Sequence, residues 1–397
     1  MISLGQTNKA RAARAARVVV GIVGFIAVTM AAPLESKNDV WAAEVQEQRY
    51  LFDEDLNWVT ARKREKFLAD VKAAGFTTIV PVVWRGIGVT WPSSLAPMDS
   101  SWRGVVGAST DPLKDLISHA HELGIKVVPW FTVAHRQREF FPEFHEEGTP
   151  DIAFNIHEEG FRKFIVKLMM EVVEKYDVDG INLDYVRAKG ICKTRACRTH
   201  YCRQTNRDLL QDAENMWRNK DSGDSIAKWN AEAVTLIIQD FAAQARARRP
   251  QMPISIDSHP VAKWTYLEGA SSIAWANRGL IDMIFDMQYK KEIDVAAVNS
   301  AKAQLLDPAK YVLLVGNFEV SPTDKQRVWP RDASLVAELL KQSRLYSQQA
   351  GAAALYEYRF LNDEQMQAIS RGPFNSAGNA ESLPPAQKMS PPRLLVR

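Results

Sequence analysis

The segment Val178-Asp-Gly-Ile-Asn-Leu-Asp-Tyr-Val-Arg187 concentrates the chemistry of this chain. Read as a strand, its alternation puts Asn182, Asp184 and Val186 on one face and Ile181, Leu183 and Tyr185 on the other. An Asp at the end of an apolar strand costs several kcal/mol if buried unpaired. It must be paired, open to a pocket, or shifted in pKa. The structural reading is an ion pair with Arg187 or Arg85; the functional one is a catalytic carboxylate. Further acids at the ends of apolar runs are Asp257, Asp286, Glu319 and Glu357, any of which could partner Asp184. Aromatic and polar neighbours at such ends are Trp84, Arg85, Trp130, Tyr185, Arg187, Tyr289 and Tyr358. Paired carboxyl groups do acid/base or nucleophilic work at a glycosidic bond, and flat aromatic faces stack on sugar rings. Such chemistry needs no cofactor or metal. The one histidine pair, His119-Ala-His121, falls on an expected helix and reads as surface or packing.

The elements that must carry these residues alternate regularly. Apolar, β-branched runs are expected as strands near 50–57, 77–84, 125–133, 178–186, 254–257, 281–289, 311–318 and 352–358. Helical patterns separate them, at 60–74, 111–124, 157–176, 271–278, 294–306 and 331–350. A long polar, helical insertion runs from the fourth strand to Arg249. Asp111-Pro112 and Gly75 mark a helix start and a helix end. Eight βα units predict an α/β protein of the (β/α)8 TIM-barrel class, in one domain over residues 50–371. A doubly wound open sheet is the second choice, but no Gly-x-Gly-x-x-Gly turn follows the first strand. Active sites of such barrels sit at the C-terminal strand ends, where the residues above fall.

At this point the resemblance is specific. The strand resembles the Asp-Gly-Ile-His-Leu-Asp-Tyr-Ile-Arg strand of the bacterial family-10-like glycosyl hydrolases, exported (β/α)8 proteins assigned to glycan hydrolysis. Trp275-Ala-Asn-Arg-Gly-Leu-Ile-Asp-Met-Ile-Phe-Asp-Met-Gln-Tyr289 and residues 351–358 are similar to later segments of that family. The resemblance covers residues 50–370 and implies Asp184 as leading carboxylate and Tyr289 as a site residue. Asn182 stands where that family has His, Asp286 where Pro is usual, and residues 52–57 lack its Arg-Gly-Val-Trp pattern. A chitinase strand, Asp-Gly-x-Asp-x-Asp-x-Glu, fits less well, because Asn182 and Val186 occupy its second Asp and its Glu positions. The expected function is cleavage of a cell-wall glycan or exopolysaccharide. The rivals are an inert glycan-binding barrel and a metal-dependent hydrolase.

Composition narrows the partners. In 397 residues, 50 Lys and Arg balance 47 Asp and Glu, which argues against a dedicated nucleic-acid binder. The 11 Trp, 16 Phe and 10 Tyr fit a core, a stacking surface, or both. Lys9, Arg11, Arg14 and Arg17 precede an apolar run at 18–32 and small residues at Ala31, Ala32, Ala42 and Ala43. That order marks residues 1–43 as an export signal or a single-helix membrane tether, with a periplasmic or secreted destination. Residues 372–397, with Pro373, Pro384, Pro385, Pro391 and Pro392, read as a disordered tail. In an exported chain one disulfide and one thiol are the expected state of Cys192, Cys197 and Cys202, with a Cys3His zinc site through His200, or three free thiols, as the alternatives. Trp91 and Trp102 join Trp84 and Trp130 as candidate sugar-subsite rings.

Overall fold

The computed structural model describes residues 47–375, apart from 103, 106, 138 and 348–350. The expected signal at 1–43 and the tail from 376 onward lie outside the described residues.

The chain runs as β1 (Arg49–Asp53), α1 (Ala61–Ala74), β2 (Thr78–Trp84), α2 (Pro112–Glu122), β3 (Lys126–Val127), β4 (Trp130–Thr132), α3 (Glu159–Lys175) and β5 (Ile181–Asp184). The insertion follows as α4 (Arg195–Thr205), α5 (Leu209–Asn215) and α6 (Lys220–Arg248). Then come β6 (Ile254–Ser258), α7 (Lys263–Leu267), α8 (Ser272–Asn277), β7 (Met283–Gln288), α9 (Val295–Gln304) and β8 (Tyr311–Gly316). The chain finishes with β9 (Phe318–Val320), β10 (Val328–Pro330), α10 (Ala333–Tyr346), β11 (Ala353–Tyr356) and α11 (Asp363–Arg371).

The main sheet is parallel throughout and follows the order β1-β11-β8-β7-β6-β5-β4-β2, with β1 also pairing β2. That last pairing closes the ring, so the expected (β/α)8 barrel is the fold. Local chemistry explains the edges. Thr60 accepts the Lys63 N–H at the start of α1, and Gly75, at φ +85°, ends it in the left-handed conformation. Asp111 caps α2 ahead of Pro112. The expected strand at 125–133 is two pieces, β3 and β4, on either side of Val128-Pro129. Pro129 cannot donate to the ladder, yet its carbonyl still accepts from the Asn182 N–H.

Aromatic rings fill the bore. Tyr50 and Phe52 of β1 meet Phe285 of β7 at 4.9 and 5.3 Å between centroids, and Phe52 meets Trp130 of β4 at 5.7 Å. Edge-to-face packing at these distances is favourable, and it closes the barrel beneath the strand ends.

The insertion has a small core of its own, in which Tyr201, Ile226, Trp229 and Leu267 surround the Cys192–Cys197 disulfide. Cys202 is the exposed free thiol. Residues 372–375 do not belong to a tail. Phe374 is buried against Phe76, and the Arg49 guanidinium covers its ring at 4.8 Å. The apolar ring of Phe374 overrides the neighbouring Pro and Ser that suggested disorder.

The disulfide closes a short loop, so its removal should cost about 2 kcal/mol through unfolded-chain entropy. We expect the Cys192→Ser/Cys197→Ser double variant to lose that much in urea denaturation and to keep the far-UV spectrum of the barrel.

Candidate active site

The site begins with two neighbouring strands. Asn182 of β5 pairs in register with Ser255 of β6, and Leu183 with Ile256, so the same register brings Asp184 beside Asp257. Adjacent strands lie about 4.8 Å apart, and laterally paired side chains share a face. That face is the bore. Asn182 is fully buried, donates to Asp257 Oδ2 at 2.8 Å and accepts from Ser255 Oγ at 2.7 Å. Here the departure from the usual His has a structural role: the amide donates to one acid and accepts from a hydroxyl. Asp184 Oδ1 accepts the Tyr185 N–H at 2.5 Å, and the backbone at Tyr185 turns to φ +50°.

Burial raises both carboxyls. Asp184 is 8% exposed and is pushed up to about 6; the charge of Glu54 adds to burial, while Arg187 and Lys189 hold it back. Asp257 is 6% exposed and lies well above the ordinary carboxylate range, through burial first and the Asp184 charge second. Its Oδ1 is buried without a hydrogen-bond partner among the described residues.

Across the mouth lies a second acidic group. In the closed ring β11 is four places from β5, so the end of β11 faces the end of β5. Glu357 follows β11, is buried, and is raised to about 8 by burial and by the charges of Glu54, Asp55 and Asp53. Its N–H donates to Asn317 at 2.8 Å, and its Oε2 has no partner among the described residues. Tyr356 donates its hydroxyl to Glu54 and stacks on Tyr289 at 4.9 Å. The Tyr289 hydroxyl is pushed well above its usual range by burial, then by the charges of Asp257, Asp184, Glu54 and Glu357. Tyr289 therefore lies within electrostatic reach of both acidic walls.

Trp130 is also at this mouth, in register with Asn182 and packed on Phe52 and Tyr356. Tyr185 forms the rim. His135 stacks on it at 5.0 Å, Lys189 covers it at 3.9 Å, and Arg187 lies 5.0 Å from its centroid while pairing with Glu268.

Other expected site residues lie elsewhere. Alternation along β7 sends Phe285 into the bore and Asp286 to the opposite face, where the Tyr311 hydroxyl donates to it at 2.6 Å. Glu319 belongs to the β9–β10 hairpin and pairs with Arg331 at 2.8 Å and Lys291 at 3.5 Å. Tyr358 turns outward, donating to Asp70 at 2.7 Å and packing on Phe67. Arg85 is engaged by Asp99 at 2.9 Å. Trp84 is fully buried among Phe141, Phe154 and Phe164. Trp91 is buried and donates to Glu171, and Trp102 is buried as well. The three buried indoles, Trp84, Trp91 and Trp102, therefore present no face to a sugar. For Asp286, Tyr358 and Trp84 the strand end was legible, but the side of the strand was decided by packing. Glu54 was not singled out, although it stands in the acidic run Asp53-Glu54-Asp55 just past the first strand. His119 and His121 sit on α2, bonded to the Asp115 carbonyl and to Asp179. Among the described residues no group of three His, Cys, Asp or Glu has metal-holding geometry.

A closed parallel barrel whose mouth combines buried carboxyls with aromatic walls defines the class of glycoside hydrolase-type (β/α)8 proteins. The family model described as glycosyl hydrolase-like 10 matches residues 38–148 and 150–317, and the chain belongs to that family. Glycosyl hydrolase YngK of Bacillus subtilis (strain 168) is 22% identical over a 267-residue alignment that covers 61% of this chain and 49% of that protein. The chain thus spans about half the length of the curated relative it matches. Among solved structures, alpha-L-fucosidase isoenzyme 2 from Paenibacillus thiaminolyticus superposes with a TM-score of 0.56 at 13% identity, over 83% of this chain and 49% of that one. The PgaB (BpsB) glycoside hydrolase domain from Bordetella bronchiseptica gives 0.55 at 11% identity, over 81% and 95%. These two likenesses show a shared fold.

Trp84→Ala removes a ring from the packed layer and should destabilise the chain by about 3–5 kcal/mol. The denaturation midpoint should fall steeply, while the protein that remains folded keeps its oligosaccharide affinity.

Proposed function

We propose that this chain hydrolyses glycosidic bonds in a bacterial polysaccharide, a cell-wall glycan or an exopolysaccharide, with Glu357 and Asp184 as its working carboxyls. The observation that carries this reading is the pair of opposed walls, in which burial and neighbouring charge push the two groups to different pKa values. Such divergence is how one site holds an acid and a base at one pH. At neutral pH Glu357 carries its proton and donates it to the glycosidic oxygen as that bond breaks. Asp184 is ionised and faces the positive charge that develops at the anomeric carbon. It attacks that carbon or directs a water to it, depending on the separation of the two carboxyls. Burial and the Asp184 charge favour the protonated form of Asp257, which lessens the negative charge beside Asp184. Trp130, buried beneath the mouth, helps exclude water, and the partly buried rings Tyr356 and Tyr289 offer apolar faces to the sugar. The signal-like order of residues 1–43 supports an exported protein meeting a surface or secreted glycan.

Activity should follow a bell in pH. It rises through about 6 as Asp184 loses its proton and falls through about 8 as Glu357 loses its own. A kcat/KM profile with no limb near either value would count against these roles. Asp184→Asn and Glu357→Gln should each lower kcat by about 10²–10⁴-fold with oligosaccharide binding retained. Turnover surviving both changes would refute the assignment, and binding without turnover in the unaltered chain would mark an inert glycan-binding barrel. Products from peptide-free peptidoglycan strands and common exopolysaccharides, read by mass, would identify the substrate.

A further inference from the structure

A cavity of about 490 Å³ opens between the segment after β6 and the segment after β7, with His259, Trp264, Met287, Gln288 and Tyr289 in its wall. Its size is that of a small-molecule site. Two of these residues tie it to the acidic mouth. His259 lies two positions after Asp257, and Tyr289 stacks at 4.9 Å on Tyr356, whose hydroxyl donates to Glu54. The cavity is thus a side chamber of the mouth, on the Asp257 flank.

Its distinctive wall is Trp264. The Arg187 guanidinium lies 4.7 Å from the indole centroid and is itself paired with Glu268 and set against Tyr185. His259 meets the same indole edge-on at 5.1 Å. A ring clamped in this way loses little conformational entropy when a ligand docks on it. The Glu268 carboxylate compensates the Arg187 charge that lies over the indole. Burial also keeps His259 uncharged at neutral pH, and with one ring nitrogen bonded to the Met287 backbone the other is left to accept. Gln288 adds amide groups: its Oε1 accepts the Asp294 N–H at 3.2 Å, and its Nε2 reaches Asp286 at only 3.3 Å. The wall also carries Asp286, Lys290 and Asp294, and an aromatic plate ringed by polar donors and acceptors suits a pyranose, whose C–H face is apolar and whose rim is hydroxylated.

We propose that this chamber is an accessory subsite for a further hexopyranose unit of the chain bound at Asp184, with Trp264 as its stacking platform. The inference deepens the glycan reading above and rests on it. It makes the protein a reader of oligosaccharide length: a ligand confined to the acidic mouth forgoes the Trp264 contact, and a longer one gains it.

The test uses the full-length chain carrying Asp184→Asn, so that ligand survives the titration. Peptide-free peptidoglycan disaccharide and tetrasaccharide and β-1,4-linked N-acetylglucosamine di- and tetrasaccharides are titrated by calorimetry. Adding Trp264→Ala should reduce the ratio of tetrasaccharide to disaccharide affinity by about tenfold. Adding Trp264→Phe, which keeps an aromatic plate, should restore most of it and also reports on folding. A ratio unmoved by Trp264→Ala, or an equal ratio in the Ala and Phe variants, overturns the proposal, as does the absence of any tetrasaccharide binding. Turnover by the unaltered chain is scored separately. Length-dependent binding through Trp264 without turnover upholds the subsite and removes the hydrolase reading, whereas turnover with no Trp264 dependence does the reverse.

Discussion

Asp184, Asp257 and Glu357 are buried, and burying an ionised acid is costly unless a proton or a counter-charge compensates. In this protein that constraint is met differently on the two walls of one opening. Beside β5, Arg187 and Lys189 partly offset burial and leave Asp184 able to ionise in mildly acidic conditions. Beyond β11, Glu357 faces the acidic run at the end of β1 and holds its proton to about pH 8. The difference between the walls makes an acid and a base out of two side chains of the same chemical kind. It depends on water being kept out, and therefore on the aromatic plug of Tyr50, Phe52, Phe285 and Trp130 below.

The hydrogen bonds around the mouth serve the same end. Asn182 bridges Ser255 and Asp257, which orients Asp257 in register with its neighbour on β5. Asn317 accepts the Glu357 N–H and donates to the Gln365 side chain on α11, which fixes the backbone at the opposite wall. Gln365 in turn donates to the Arg331 carbonyl, and Arg331 holds the carbonyls of Gly316 and Tyr289. A buried polar network with its donors satisfied is rigid. This one runs from the helix outside the barrel to the ring that separates the two acidic walls.

Much of the fold was legible in the residues. Eight apolar runs with helical spacers anticipate the barrel, and Gly75, Asp111 and Pro112 mark boundaries that the structure keeps. Alternation in the 178–187 segment places Asn182 and Asp184 together, and the structure puts both in the bore. Legibility failed where a residue near a strand end could face either way. Asp286, Tyr358 and Trp84 satisfy the same strand-end pattern as Asp257, Tyr289 and Trp130, but they face the helices. Glu319 failed for another reason: the chain leaves the barrel after β8 and forms a hairpin, which delivers that acid to Arg331.

The amino-acid order alone determined the succession of strands and helices, the closed-barrel class, and the placing of Asp184 at a strand end, because hydrophobic period and turn chemistry are local properties. Only the tertiary structure decided which acids meet. Asp257 reaches Asp184 through the register of β5 on β6, and Glu357 reaches the facing wall because the ring closes through β1 and β2. Sheet register and ring closure join residues far apart in the chain, and the pKa of each acid follows from neighbours that only this closure supplies.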